Sequence, residues 1–271
     1  MRAALVNGVA PADAANAIAI ADRGLNYGDG LFETMALREG KVRLLDAHMT
    51  RLASGCARLK IGYPGTQLLH KEIAGVTGTI REGVVKIVIT RGSAGRGYRP
   101  PADAAPTRIV TLHDLPPASN AEIKVRWCEM RLSRNPALAG IKHLNRLEQV
   151  LAQSECNDAQ IEEGLMLDHE GELVCGTSSN IFIVRGGELM TPDLRYCGVH
   201  GVMRAEVIKT AKQLGIDVHE EPLWADNLET ASEVFVTNAV RGIRSVVMLD
   251  ELTWSNGPVT QAIRKAIEKH A

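Results

Sequence analysis

Ser133-Arg134-Asn135-Pro136-Ala137-Leu138-Ala139-Gly140-Ile141-Lys142-His143-Leu144-Asn145-Arg146-Leu147-Glu148-Gln149-Val150 is the stretch that decides how this chain is read. A lysine beside a helix start is ordinarily a solvated surface residue, because its ammonium is costly to bury. Here Pro136 and Gly140 imply a tight backbone approach, and Leu138, Ile141 and Leu144 imply a partly apolar setting around Lys142. Desolvation of that kind lowers a lysine pKa and favours the nucleophilic amine. Lys142 is therefore a candidate for imine chemistry, at the start of a helix expected over residues 142–157.

Downstream, short apolar runs predict strands over 123–130, 164–168, 180–185 and 233–237, with helices over 202–214 and 259–269. Upstream, strands are expected over 3–6 and 17–20, separated by Asn7-Gly8 and Pro11. Apolar residues at helical spacing predict a helix over 46–60 with Asp46 as its N-cap, and a second helix over 66–81. The β-branched run Val84-Val85-Lys86-Ile87-Val88-Ile89-Thr90 reads as a buried strand, and 108–112 as another. Pro116-Pro117 marks residues 113–120 as a linker. The expected fold class is α/β (α+β): a smaller amino-terminal domain over 1–115 and a larger one over 121–271 that carries Lys142, meeting at a cleft. No internal repeat is evident.

Composition narrows the function classes. Apolar residues make up 45% and charged residues 23%, which is ordinary for a globular chain. Lysine plus arginine number 31 against 32 acidic residues, so no basic field exists to hold nucleic acid or an anionic membrane. The start of the chain does not read as a signal peptide, and no run reaches about 18 apolar residues, so a cytoplasmic location is expected. The cysteines Cys56, Cys128, Cys156, Cys175 and Cys197 include no Cys-x-x-Cys pair. Reduced, mostly buried thiols are expected, with no metal site.

The 133–150 segment closely resembles the lysine segment of the aminodeoxychorismate lyases, within the fold-type IV enzymes that use pyridoxal 5'-phosphate (PLP). The resemblance begins at Asp22-Arg23-Gly24-Leu25-Asn26-Tyr27-Gly28-Asp29-Gly30-Leu31-Phe32-Glu33-Thr34 and continues past Val236-Thr237-Asn238-Ala239. Among the relatives are the D-amino-acid and branched-chain aminotransferases. It implies a two-domain fold-type IV homodimer with PLP between the domains, and Lys142 as the Schiff-base lysine and the proton carrier at the substrate Cα.

Other roles follow from the same resemblance. Arg51, in His48-Met49-Thr50-Arg51-Leu52, matches a His-x-x-Arg-Leu pattern and is the expected phosphate ligand, a task suited to a fixed fork of donors. Gly198-Val199-His200-Gly201-Val202-Met203-Arg204 places glycine before a helix, where the amides of Val202 and Met203 favour an anion. Thr237 and Asn238 complete the implied phosphate cup. Arg91, Arg96 and Tyr98, on a glycine-rich loop, are the substrate-binding candidates, with Arg96 the stronger carboxylate ligand. Thr34 corresponds to a lyase-type threonine on the substrate side of PLP.

One position departs from the pattern. The family places a glutamate beside the pyridine nitrogen, five residues before the asparagine of an Asn-(Leu/Ile/Val)-Phe strand, and here that residue is Cys175, with Glu172 at the wrong spacing. A neutral thiol supports a protonated pyridine weakly or not at all. The implied reaction is conversion of 4-amino-4-deoxychorismate to 4-aminobenzoate and pyruvate, a step of folate biosynthesis. The alternatives are a D-amino-acid or related aminotransferase on the same scaffold, and a PLP-binding protein impaired in catalysis.

Overall fold

The computed structural model describes residues 1–12, 17–117 and 120–269. The chain divides into two compact units, Met1–Pro117 with Ile141–Asn145, and Ala118–Gly140 with Arg146–Ala271. The first contains β1 (Ala3–Val6), α1 (Arg23–Tyr27), β2 (Gly30–Arg38), β3 (Lys41–Val42), α2 (Leu45–Leu59), α3 (Thr66–Thr77), β4 (Gly83–Thr90) and β5 (Thr107–His113). Its sheet is antiparallel throughout, in the order β1-β5-β4-β2-β3.

Alternation along these strands sends Leu31, Met35 and Leu37 of β2, Val85, Ile87 and Ile89 of β4, and Val110 and Leu112 of β5 to one core. Met49, Leu52 and Cys56 of α2, and Leu69, Ile73 and Val76 of α3, cover that core. Helical spacing puts each trio on one stripe. Glu33 shares the α2-facing side of β2 and is buried, whereas Phe32 and Thr34 alternate to the opposite face and are only half-buried.

The second unit contains β6 (Glu122–Trp127), α4 (Leu147–Ser154), β7 (Ile161–Leu167), β8 (Leu173–Gly176), β9 (Asn180–Arg185), β10 (Glu188–Thr191) and α5 (Val202–Gln213). Then follow β11 (Val218–Glu220), α6 (Asp226–Glu229), β12 (Glu233–Asn238), β13 (Gly242–Leu249), β14 (Leu252–Thr253) and α7 (Pro258–Lys269). Its mixed sheet runs β11-β10-β9-β12-β13-β6-β7-β8, with β14 paired to β13. Central strands are buried on both faces, which is why their sequences run apolar without a break. Ile181 and Ile183 of β9 and Val234 and Val236 of β12 enter one core. Between them Phe182 and Phe235, partners across the β9–β12 ladder, stack with centroids 5.0 Å apart. No helix among the described residues is long and apolar enough to cross a membrane.

Six expectations change. Residues 17–20 form no strand: the chain bends so that Asp22 N–H returns to the Ala19 carbonyl, and Ile20 is exposed. The N-cap of α2 is Leu44 in a left-handed conformation with no side-chain bond, and Asp46 lies inside the first turn, where its negative charge is favourable beside the positive end of the helix dipole. The second helix stops at Thr77, short of Arg81, and β6 ends at Trp127 rather than Met130. The expected linker begins too early, since His113 still pairs with Val84 and the units divide after Pro117; Ala118 and Ser119 lie outside the described residues.

The sixth correction concerns Lys142. Its helix, α4, starts only at Leu147, and Ile141–Asn145 belongs to the first unit rather than to the carboxy-terminal one. Gly140 has φ +80°, and beyond it the chain runs extended along β2. Phe32 N–H donates to the Lys142 carbonyl at 3.0 Å and Leu144 N–H to the Gly30 carbonyl at 3.0 Å. Because β3 pairs only with Leu37 and Arg38, the edge of β2 near Gly30 is open to this segment. Backbone pairing with a distant strand overrides the local helical pattern.

Candidate active site

In the first unit, the extended segment hangs Lys142 over β2, its Nζ 4.2 Å from the centre of the Phe32 ring. Thr34 is on the same face of β2, two residues along, opposite Lys86. On the α2-facing side, the buried Glu33 carboxylate gathers two residues one helical turn apart. Arg51 donates from Nε to Oε1 at 2.8 Å and from Nη2 to Oε2 at 2.5 Å, and His48 Nδ1 lies 2.6 Å from Oε2. Burial alone would raise the Glu33 pKa, but the hydrogen bonds and charges of Arg51 and His48 outweigh it and hold the carboxyl below its usual range. Burial pushes the His48 pKa down, Glu33 pulls it up, and the positive charges of Arg51 and Lys142 push it down further, leaving it lowered. The imidazole is therefore neutral with its proton on Nδ1, facing the carboxylate. Sequence alone does not single out Glu33 and His48. The His48-x-x-Arg51 spacing and the alternation of Phe32, Glu33 and Thr34 were the available signals.

Among the substrate candidates, the structure separates Arg91 from the other two. Arg91 donates to both Asp29 oxygens, at 2.7 and 3.0 Å, and to the carbonyls of Leu59 and Lys60 at 2.8 and 2.7 Å. Its fork closes the C-terminal end of α2, so the expected substrate role is replaced by a structural one. Although burial opposes it, Arg91 and Arg23 lower the Asp29 pKa. Arg96 and Tyr98 are exposed, and Arg96 makes no ion pair with the described residues.

In the second unit, Gly198 (φ +87°) and Gly201 lead into α5, which has no side-chain cap, so the N–H groups of its first turn point outward without intrahelical partners. This arrangement is what an anion requires. Gly140 N–H donates to the Gly198 carbonyl at 3.0 Å, His200 N–H returns to the Gly140 carbonyl at 3.1 Å, and Asn180 Nδ2 donates to the Val199 carbonyl at 2.9 Å. A Cβ at Gly201 would lie 2.0 Å from Asn180 Oδ1, so any larger residue there would displace the asparagine or the start of α5. Thr237 pairs with Asn180 across the ladder and is buried, its hydroxyl donating to the Gly242 carbonyl at 3.0 Å. Asn238 Oδ1 accepts from the N–H groups of Val240 and Arg241 at 3.0 and 2.8 Å, which builds the β12–β13 turn.

Cys175 is buried with Cys128, Leu132, Met166, Val174, Leu194 and Cys197, and this desolvation drives its thiol pKa far up. It is a neutral group. The carboxylate that does lie close in this region is Glu163, which accepts from Thr177 Oγ1, Ser178 Oγ (3.0 Å), Ser179 Oγ (3.1 Å) and Arg244 Nη2 (3.2 Å). With these donors satisfied, Glu163 ties down the turn between β8 and β9. Glu172 is paired with Arg134 at 3.0 Å. In the first unit Lys142 offers an amine suited to the aldehyde of PLP, and in the second the first turn of α5 offers amides suited to a phosphate, whereas Cys175, a buried neutral thiol, offers no acid.

Residues 30–249 match the family model for amino-transferase class IV. A crystal structure of 4-amino-4-deoxychorismate lyase from Pseudomonas aeruginosa is 42% identical, covers 98% of both chains and superposes with a TM-score of 0.92. A Methanocaldococcus jannaschii protein with a provisional branched-chain-amino-acid aminotransferase name is 34% identical over 93% of this chain and 89% of its own. The aminodeoxychorismate lyase of Vibrio harveyi is 30% identical over 84% of this chain and 86% of its own. The chain belongs to the class IV aminotransferase family and is a PLP-dependent enzyme of fold type IV.

Proposed function

We propose that this enzyme is a lyase converting 4-amino-4-deoxychorismate to 4-aminobenzoate and pyruvate. The observation that carries the reading is the 42% identity to the Pseudomonas aeruginosa lyase over 98% of both chains. When bound, PLP supplies an aldehyde for amine exchange and a conjugated ring that draws electrons from the carbon bearing the substrate amino group. Lys142 would hold the cofactor through its amine and, when that amine is free, would take the proton from the carbon bearing the substrate amino group. Thr34, on the same strand face as Phe32, would relay to the departing pyruvate carbon the proton that Lys142 has taken up. Arg51, oriented by Glu33, and the amides of Val202 and Met203, with Thr237 and Asn238, bind the phosphate. Arg96 and Tyr98 receive the substrate carboxylate.

Elimination that creates an aromatic ring has a large driving force, which suits a site where Cys175 replaces an acid. The 34% identity to the Methanocaldococcus jannaschii protein keeps aminotransfer as the second reading. A cytoplasmic homodimer belongs to the same proposal, supported by the exposed apolar face that Leu147, Val150 and Leu151 form on α4. Incubation of the PLP-loaded protein with aminodeoxychorismate, and separately with D-alanine and 2-oxoglutarate, decides between the reactions. The expected products are 4-aminobenzoate and pyruvate. Rapid keto-acid exchange without 4-aminobenzoate would sink the lyase reading.

A further inference from the structure

The exposed loop that carries Arg96 and Tyr98 has no helix or strand of its own, yet it is held by an unusual investment of buried polar groups. Asp22, itself buried, ties the two strands flanking the loop by accepting from Thr90 Oγ1 at 2.9 Å and Thr107 Oγ1 at 2.7 Å, and it caps α1 through Gly24 N–H at 2.8 Å. Arg23, next in sequence, is only 4% exposed. Its Nε donates to Asp29 at 2.9 Å, and its other two nitrogens reach into the loop, Nη1 to the Gly97 carbonyl at 2.9 Å and Nη2 to the Tyr98 carbonyl at 3.0 Å. The guanidinium also lies 4.8 Å from the centre of the Tyr27 ring. Tyr27 accepts from Gly97 N–H at 3.1 Å through its hydroxyl, and its ring meets Tyr98 at 5.5 Å.

We propose that Arg23 is the positioning residue of a pre-shaped anion-recognition loop. By fixing the carbonyls of the two residues after Arg96, it sets the direction of the Arg96 side chain before any ligand arrives, so that a substrate carboxylate is met without first ordering the loop. A planar fork is needed to reach two carbonyls and a carboxylate at once, which a lysine cannot do. The role of Arg96 rests on the functional reading above; the grip of Arg23 on the loop does not.

The test uses the PLP-loaded enzyme, with whichever substrate the wild type turns over, in the variants Arg23→Lys, Arg96→Ala, the double variant and Tyr27→Phe. Arg23→Lys is expected to raise KM about tenfold with kcat within about twofold, the pattern of lost ground-state recognition. Cofactor affinity, read from the absorption of bound PLP, stays unchanged, and trypsin cleavage after Arg96 accelerates. Arg96→Ala raises KM comparably, and the double variant adds little, because one residue acts through the other. Tyr27→Phe, which removes only a hydroxyl, gives a smaller shift in the same direction and decides the matter if Arg23→Lys does not fold. Additive KM effects, or faster cleavage with KM unchanged, would overturn the recognition role. Unchanged cleavage would overturn the grip itself. Product identity, by contrast, tests the lyase reading, so the two fail separately.

Discussion

Glu33 and Arg51 meet in a two-pronged pair, Nε to Oε1 at 2.8 Å and Nη2 to Oε2 at 2.5 Å, with the carboxylate on β2 buried and the guanidinium on α2 partly exposed. Removing one member of such a pair strands the other, at a typical cost of about 3–5 kcal/mol. Glu33→Ala is expected to destabilise the fold by an amount in this range and to weaken PLP binding, because Arg51 loses its orientation. Urea denaturation and titration of the apoenzyme with PLP measure the two effects. PLP affinity within twofold of wild type would disprove the orienting role.

Acidification acts on the same cluster. His48 has a folded-state pKa below its ordinary 6.5, so the unfolded chain takes up a proton first and stability declines as pH falls below that value. Glu33 has a folded-state pKa below its ordinary 4.5, so its contribution is fully present above that value and is lost as pH falls through the depressed one. The denaturation midpoint is expected to drop in two stages, one beginning near 6.5 and one below 4.5. His48→Gln should flatten the upper stage. A midpoint constant from pH 8 to 5 would contradict the assignment.

Gly201→Ala probes the approach of Asn180 to the start of α5. The added Cβ would meet Asn180 Oδ1 at 2.0 Å, so the asparagine or the helix must shift. PLP affinity is expected to fall by at least about tenfold, the order of about 1.4 kcal/mol, while the melting temperature changes little. Equilibrium dialysis with PLP reads this directly. An unaltered affinity would mean that the N-terminal amides of α5 do not hold the phosphate.

Cys175→Glu tests the consequence of a neutral group at that position. An introduced carboxylate should alter the absorption spectrum of bound PLP and raise the rate of D-alanine transamination relative to elimination. Unchanged spectrum and unchanged rates would show that Cys175 does not influence the cofactor ring.

The sequence was most informative where structure is local. The run Val84 to Thr90 is strand β4, and the apolar spacing from Met49 to Cys56 is the core stripe of α2. The distinctive character of the Lys142 segment was visible too, but not its conformation. Local spacing reads 142–157 as helix, whereas pairing with Gly30 and Phe32, more than a hundred residues earlier, makes its first part extended. The same non-locality hid the Glu33 cluster, since a carboxylate on β2 gives no hint that it faces two residues of α2. Arg91 misled for a related reason: the carbonyls that claim it, Leu59 and Lys60, lie about thirty residues away, and no side-chain pattern announces them.

The five residues Ile141–Asn145 also bear on modularity. The first compact unit is not a contiguous stretch of chain: it is completed by a short piece reached only after the polypeptide has entered the second unit, and that piece carries Lys142. No single cut in the chain can release both units whole. A fragment ending at Pro117 lacks both the lysine and the backbone partner of β2 near Gly30, and a fragment long enough to include them carries part of the second unit with it. Exchange of the first unit for a homologue's would therefore have to carry the lysine with it, through a second pair of junctions inside the second unit.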